Sequence, residues 1–562
     1  MEKAIKSYKA ALKVITHEAM PHYYRLIQHN LGHLHFDENN WQAAYTAYQA
    51  ALETTETLYT LDEGSAEGKQ AELAKNDDLV ARASYCLAKL DRFDEAVVTL
   101  EQGRTRIFSE TYNATLLKMA SETEQQNYTE ASEQLKILEK EMYKAGQKNT
   151  RSRDEVLADL EVARAELSTI VETIRQAVPD FMPKGFNFQS ICQLATRLKQ
   201  PLVYLLTTPK GSLALIVPPN TTTIAEEQVV WLDDFNTKKL KGLLYDTDGK
   251  PRYLHLIEIL PLLDEQLITP LVERLKQLGY SQAMLIPMDT LNLLPLHADT
   301  ELTFSFAPSA RLLQTALNKT QSYTDAPLSL LGIGNPTAEG QDPLKYGLAE
   351  VTAIAALFPQ EQSLCENAAT RAAVFAALGA KTHIHFSCHG SFDTNDPPNS
   401  ALYLAGKDRF TVQDLILGRV DLAKTQMVVL AACQTGITDF EKTPNEVIGF
   451  SGAFMQAGVP AIISTLWPVD EISTMLLLHR FYEISISLKD NQPPAHAFQQ
   501  AQYWLRDASA ETLIDYSRKI TQYLPKRYAR HCKIQIKKNG AYEDPYYWAG
   551  FVFSGAKLEA SK

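Results

Sequence analysis

The rhythm of apolar positions changes near residue 180. Before it, apolar residues recur every three or four positions, the period of a helix with one buried face. Ala44, Tyr48 and Ala51 fall on one such face, two small residues flanking an aromatic. Residues 4–12 repeat the pattern, and a weaker copy follows with Ala96 as the small residue and Leu100 in the aromatic position. Gly32 lies where a preceding antiparallel helix would come close to Ala44, and the polar insert 62–78 predicts a loop. Residues 110–180 keep the helical period with dense charge and predict an amphipathic hairpin that Pro179 and Pro183 end.

Beyond that point apolar residues come in short runs. Residues 202–207 and 212–217 flank Pro209-Lys210-Gly211, a hairpin signal. A long helical pattern over 254–278 leads to a buried strand at 283–287. From residue 328 strands and helices alternate. The strands are 328–334, 383–387, 427–432 and 461–466; the helices are 347–358, 370–378, 445–457 and 471–484. Continuously apolar strands joined through helices predict a mainly parallel sheet flanked by helices on both faces. The fold class read from the pattern is thus an α/β domain preceded by an all-α region.

Length, composition and charge narrow this picture. A chain of 562 residues has room for several domains. With 45% apolar and 22% charged residues it is globular in character. Its net charge of −12 speaks against general binding to nucleic acid or to an anionic membrane. The start, MEKAIKSYKAAL, lacks the apolar core of a signal peptide, and no apolar run reaches bilayer length, so a cytoplasmic location is expected. The six cysteines are scattered with no C-x-x-C pair, which argues against a disulfide framework and a zinc ribbon. No cofactor or metal is expected.

In parallel sheets ligands bind beyond the carboxyl ends of the strands. Two strands end on reactive residues there. One runs HIHFSC and is followed by His389-Gly390; the other runs MVVLAA and is followed by Cys433. Neighbouring strand ends bring such side chains within reach, and cysteine beside histidine is a nucleophile with its base. The imidazole lowers the thiol pKa or takes its proton, the thiolate attacks a carbonyl, and the imidazolium protonates the departing amine. Amides of Gly390 and Cys433 are the candidate oxyanion donors.

These residues carry a family resemblance. HFSCHGSFD, VVLAACQTG, GFSGAFMQAGVPAIISTLWPVDEISTMLLLHRFY and the closing YYWAGFVFSG resemble, in this order, the CHAT domain, a caspase-like and separase-related peptidase family, over about residues 183–557. The resemblance implies a caspase-like fold, His389 as catalytic histidine and Cys433 as nucleophile. It also implies an inactive caspase-like half over 183–325 and an active half over 326–562. The front end resembles the tetratricopeptide repeat over 1–115, with 116–182 as a helical hairpin linker; a plain helical bundle is the other reading of that region. Proteins combining both parts are associated with bacterial defence, including CRISPR systems.

Each choice has an alternative. Cys388 is a second thiol beside His389, although strand alternation points the two to opposite faces. His383, His385 and His389 share parity, but two of them would lie inside the sheet, where a hydrogen-bonded core histidine is the better reading of His385. Asp393, Asp396, Trp467, Asp470 and Glu471 lie on loops expected to line the cleft, and Asp393, Trp467 and Asp470 are the candidate substrate contacts. Asp470 could equally cap a helix, and Trp467 could pack on the sheet. The loops offer no arginine, so cleavage after Asp is not expected and a basic or apolar residue is preferred before the cut. The expected function is a cysteine endopeptidase acting on a protein substrate. A regulatory protein or ribonucleoprotein would bind the helical front, with no direct contact to nucleic acid or membrane. The alternative is a catalytically silent binding scaffold.

Overall fold

A computed structural model describes the chain except residues 18–19, 62–77, 105–112, 115, 145–149, 179–180, 182–185, 246–255, 321–325, 433–434, 438–447, 488–492, 541 and 557–562. It divides into two compact units, Met1–Gln189 and Ser190–Lys562.

The first unit is helical. Helices Pro21–Asp37 and Trp41–Leu61 pair antiparallel. Their close approach falls at Gly32, where a Cβ would lie 2.4 Å from Tyr48 Cδ1, so only glycine leaves the tyrosine ring its place. Leu79–Lys89 and Phe93–Gln102 form the next pair. Glu122–Lys144 and Arg153–Ala177 form a hairpin that buries Leu138, Val156, Leu160 and Ala163. Ser152 and Glu155 close a reciprocal capping box at the start of its second helix.

The second unit is built on one eleven-stranded sheet. In chain order its strands are β1 (Leu202–Thr208), β2 (Gly211–Val217), β3 (Val229–Leu232), β4 (Gln282–Pro287), β5 (Thr303–Phe306), β6 (Ser329–Gly334), β7 (Gln360–Cys365), β8 (His383–Ser387), β12 (Met427–Ala431), β13 (Ala461–Thr465) and β14 (Phe551–Gly555). Three short strands, β9 (Gly390–Ser391), β10 (Ala401–Tyr403) and β11 (Arg409–Thr411), make a separate antiparallel sheet. The spatial order of the large sheet is β3-β2-β1-β4-β5-β14-β13-β12-β8-β6-β7. β1–β2, β2–β3 and β13–β14 are antiparallel; the other pairs are parallel. This is the helix-flanked, mainly parallel sheet that the apolar runs predict.

The structure departs from the pattern in several places. The expected 254–278 helix is broken, with Pro261 in helix Leu256–Leu263 and a wide π turn at Asp264–Ile268 before helix Thr269–Gln277. The helix expected at 445–457 spans Phe450–Gln456, with residues 445–447 outside the described residues. β7 is a polar edge strand that no apolar run announces. Helices Pro494–Asp507, Ala510–Thr521 and Lys526–Asn539 precede the closing strand β14. Among the described residues no helix is long and apolar enough to cross a membrane.

Candidate active site

β8 lies inside the sheet between β12 and β6, and all five of its residues are buried. Its two faces do different things. Phe386 stacks on Phe410, which stacks in turn on Phe450 and Phe454. His385 faces the other way. Its Nε2 lies 2.8 Å from Glu350 Oε1 of helix Gly347–Ala355, and its Nδ1 lies 3.4 Å from the hydroxyl of Tyr482 in helix Glu471–Ser487. Both ring nitrogens thus have partners inside a dry core, which is how a buried imidazole is tolerated. His383 Nδ1 lies 3.0 Å from Thr382 Oγ1. Two of the three parity-sharing histidines are therefore engaged in structural hydrogen bonds.

His389 lies two residues past the end of β8, and its main chain is held: its carbonyl accepts the Tyr403 amide of β10 at 2.9 Å. Its ring Nε2 lies 2.7 Å from the Asp342 carbonyl oxygen. A carbonyl oxygen only accepts, so Nε2 carries the proton in this contact and Nδ1 keeps the lone pair. The loop presenting that carbonyl is tied to the same strand end. Asn335 donates its amide to Ser387 O at 2.8 Å, and its side-chain oxygen accepts the Leu344 amide at 2.8 Å. Its φ of 44° lies in the left-handed region that asparagine tolerates better than most residues.

Cys433, with Gln434, lies outside the described residues, and so does the cysteine half of the expected oxyanion hole. The residues on both sides of it are firmly held. The Ala432 carbonyl accepts the Thr465 hydroxyl at 2.6 Å and the Thr435 hydroxyl at 3.2 Å. Gly436 donates its amide to Thr465 O at 2.7 Å, and a Cβ there would lie 2.9 Å from that oxygen. The turn after β12 is therefore stitched to the end of β13. Gly390, the other oxyanion candidate, is half-buried and pairs with Leu402 at the start of β9. Cys388 is buried, 2% exposed, next to His389 in sequence.

The expected substrate contacts occupy structural positions. Asp393 Oδ1 accepts the amides of Asn395 and Asp396 and so closes its own turn. Asp396 Oδ2 accepts the side-chain amide of Asn399. Asp470 Oδ1 accepts the amides of Ile472 and Ser473 and caps helix Glu471–Ser487. Glu471 Oε2 accepts the Tyr346 amide at 3.0 Å; burial pushes its carboxyl above the usual carboxylate range, against the pull of nearby amides. Trp467 is 2% exposed and gives its indole N–H to Tyr546 O at 3.1 Å, with Gly550 packed against the ring. What the sequence could not show is Asp342, whose contribution is a main-chain carbonyl.

Residues 258–556 match the family model described as "CHAT domain". Among solved structures, the chain is similar to the complex of Porphyromonas gingivalis RgpB pro- and mature domains, at 14% identity and a TM-score of 0.33, over 53% of this chain and 71% of that one. It is also similar to the Saccharomyces cerevisiae separase–securin complex, at 9% identity and a TM-score of 0.35, over 98% of this chain and 48% of that one. It thus spans about half of the latter's length. No curated protein matches the chain.

Proposed function

The chain belongs to the CHAT-domain family and has its caspase-like α/β fold, and from that premise we propose that it is a cysteine endopeptidase with Cys433 as nucleophile and His389 as base. The observation that carries the reading is the register of β8 against β12. Their ladder runs from Met427↔His383 to Ala431↔Ser387. The two strands end side by side at Ala431 and Ser387, and in sequence Cys433 and His389 each follow two residues later.

The chemistry follows from the lone pair on His389 Nδ1. That nitrogen takes the Cys433 proton, and the thiolate adds to the scissile carbonyl carbon. The oxyanion so formed is met by the Gly390 and Cys433 amides. As it collapses, the C–N bond breaks and Nδ1–H passes its proton to the leaving amine. Water, deprotonated by the same nitrogen, then cleaves the thioester and restores the thiol. The Asp342 carbonyl keeps the ring in the tautomer that these transfers need, and it steadies the imidazolium.

Loops 389–400 and 466–471 carry carboxylates and no arginine, which supports a basic or apolar residue before the cut. Asp393 and Asp470 each hold backbone amides through Oδ1, so a substrate contact from either would fall to Oδ2. The helical unit is the part assigned to a regulatory protein or ribonucleoprotein. In it Tyr23 and Leu26, one helical turn apart, leave apolar surface exposed.

The test is a peptide-based thiol-directed probe applied to the full chain, with and without candidate partners, followed by mapping of the labelled peptide. Label is expected on Cys433 and absent in Cys433→Ala, and His389→Ala should slow labelling by about 10²–10⁴-fold. Label on Cys388, or no label and no cleavage under any condition, would favour the scaffold.

A further inference from the structure

The helical unit carries a second cluster of chemistry. Helix Pro21–Asp37 places His29 and His33 four residues apart on one face, with ring centroids 4.2 Å apart. The third member is Asp78, at the N-cap of helix Leu79–Lys89. Asp at that position ordinarily accepts amides of the first turn, but Asp78 makes no side-chain cap bond. Its carboxylate is turned to the histidines instead. Oδ1 lies 3.8 Å from His29 Nε2 and 3.6 Å from His33 Nε2, and the three atoms all lie within 4.8 Å of one another. Oδ2 accepts from Arg82 Nε.

These separations are beyond hydrogen-bond length. The two histidine–carboxylate separations are within about 0.5 Å of the ~3.3 Å between ligand atoms of a tetrahedron with metal–ligand bonds of about 2.0–2.1 Å. His29 Nε2 is buried and has no hydrogen-bond partner, an arrangement that costs stability unless something else occupies its lone pair. His33 is oriented from behind, with its Nδ1 2.9 Å from the hydroxyl of the buried Tyr48. With Nδ1–H donating to that oxygen, the Nε2 lone pair faces His29 and Asp78, the outer-sphere support that metal-binding histidines have.

We infer that His29, His33 and Asp78 bind one divalent late first-row transition metal, Zn²⁺ foremost, with a fourth position left to water. Two imidazoles and a carboxylate suit borderline ions such as Zn²⁺, and they do not suit Ca²⁺ or Mg²⁺, which take oxygen. The ion would fasten helix Pro21–Asp37 to the first turn of helix Leu79–Lys89, and so stiffen the unit assigned to partner binding. Arg82 neutralises the outer oxygen of Asp78, which tempers affinity and suits a site that loads and unloads.

The experiment is Zn²⁺ titration of the full chain against a chromophoric chelator. It is done on a Cys433→Ala background, so that the proposed thiol–imidazole pair does not act as a second site. Co²⁺ absorption serves as an independent reading of coordination. One equivalent of Zn²⁺ is expected, with a four-coordinate Co²⁺ spectrum. Tyr48→Phe, which removes only the orienting hydroxyl, should weaken binding about 10-fold, within the 10–100-fold range for such partners. His29→Gln and His33→Gln should each abolish the stoichiometric site while circular dichroism stays helical. Absence of a bound equivalent in the unaltered helical unit, or binding that survives both histidine variants, overturns the inference and leaves a His–Asp–Arg polar cluster only.

Discussion

The proposed general base must present the right nitrogen at the right place, and both requirements trace to Asn335, a residue outside the proposed dyad. Asn335 joins the end of β8, through Ser387 O, to the loop whose Asp342 carbonyl meets His389. If that loop shifts, the ring loses the acceptor that fixes its tautomer. Asn335→Ala removes the bond to the Leu344 amide and puts an alanine at φ 44°. The left-handed backbone alone costs about 1–2 kcal/mol for such a residue. Asn335→Gly removes the same bond and relieves the backbone. Both variants should slow probe labelling of Cys433, by up to about 100-fold for a displacement of about 1 Å. A loss in Asn335→Ala that Asn335→Gly fully restores would mean that backbone strain, and not the loop tie, is what matters. At this scale the sequence was partly legible. The pattern of reactive residues after apolar strands nominates His389 and Cys433, and the structure describes only the first of them. The partner of His385, Glu350, is 35 positions away and on another element, and a carbonyl such as that of Asp342 leaves no trace in residue type. His29 and His33 stand at helical spacing in plain view, but the carboxylate between them comes from beyond a long polar insert.

β8 is the element on which the candidate site hangs, and its interior is unusual in holding polar groups. The Glu350–His385 contact has side chains 3% and 0% exposed, and Tyr482 closes it from a second helix. A buried pair of this kind adds little net stability when whole, but removing one partner strands the other in low dielectric. Glu350→Ala should therefore cost about 3–5 kcal/mol, measured by chemical denaturation of the second unit. Glu350→Gln, which keeps an oxygen for the ring, should cost clearly less. Equal losses would show that volume, not the polar contact, sets the effect. The pair, with Tyr482, also binds helices Gly347–Ala355 and Glu471–Ser487 to the strand that leads to His389, so Glu350→Ala should slow labelling of whatever fraction stays folded. Central strands were readable because burial on both faces demands continuous apolar runs, interrupted in β8 by His383, His385 and Ser387. β7 was not, since an edge strand is polar by need, and β9 to β11 are too short for any period to show. The 254–278 segment kept its apolar period through a π turn, which adds a residue to one turn and leaves no compositional mark.

Among the described residues burial lowers the pKa of four histidines, three of them far below the ordinary value. His33 in the first unit and His297 and His479 in the second each sit at about 4, against an ordinary value of 6.5, chiefly because their rings are removed from water. The sign of the consequence is fixed by which state takes the proton first. Between pH 6.5 and 4 the unfolded chain binds protons at these positions and the folded chain does not. Their contribution is therefore complete above pH 6.5 and drains away as pH falls toward 4. Each is worth at most about 3–4 kcal/mol, and less for the partly exposed His33, since one pKa unit corresponds to about 1.4 kcal/mol. Both units should weaken on mild acidification, and they can be followed separately. Trp41 lies in the helical unit, whereas Trp231, Trp467, Trp504 and Trp548 lie in the α/β unit, so fluorescence of a Trp41→Phe chain reports the second unit alone. Its denaturation midpoint should fall steeply from pH 6.5 to pH 4. His479→Gln, which keeps a polar group opposite the Tyr516 hydroxyl, should flatten that slope by about one proton. A midpoint that stays level over the window would mean that the folded α/β unit takes up these protons as readily as the unfolded chain does. In that event the acid limit of any peptidase activity would report the dyad itself, and not the loss of the sheet that aligns it.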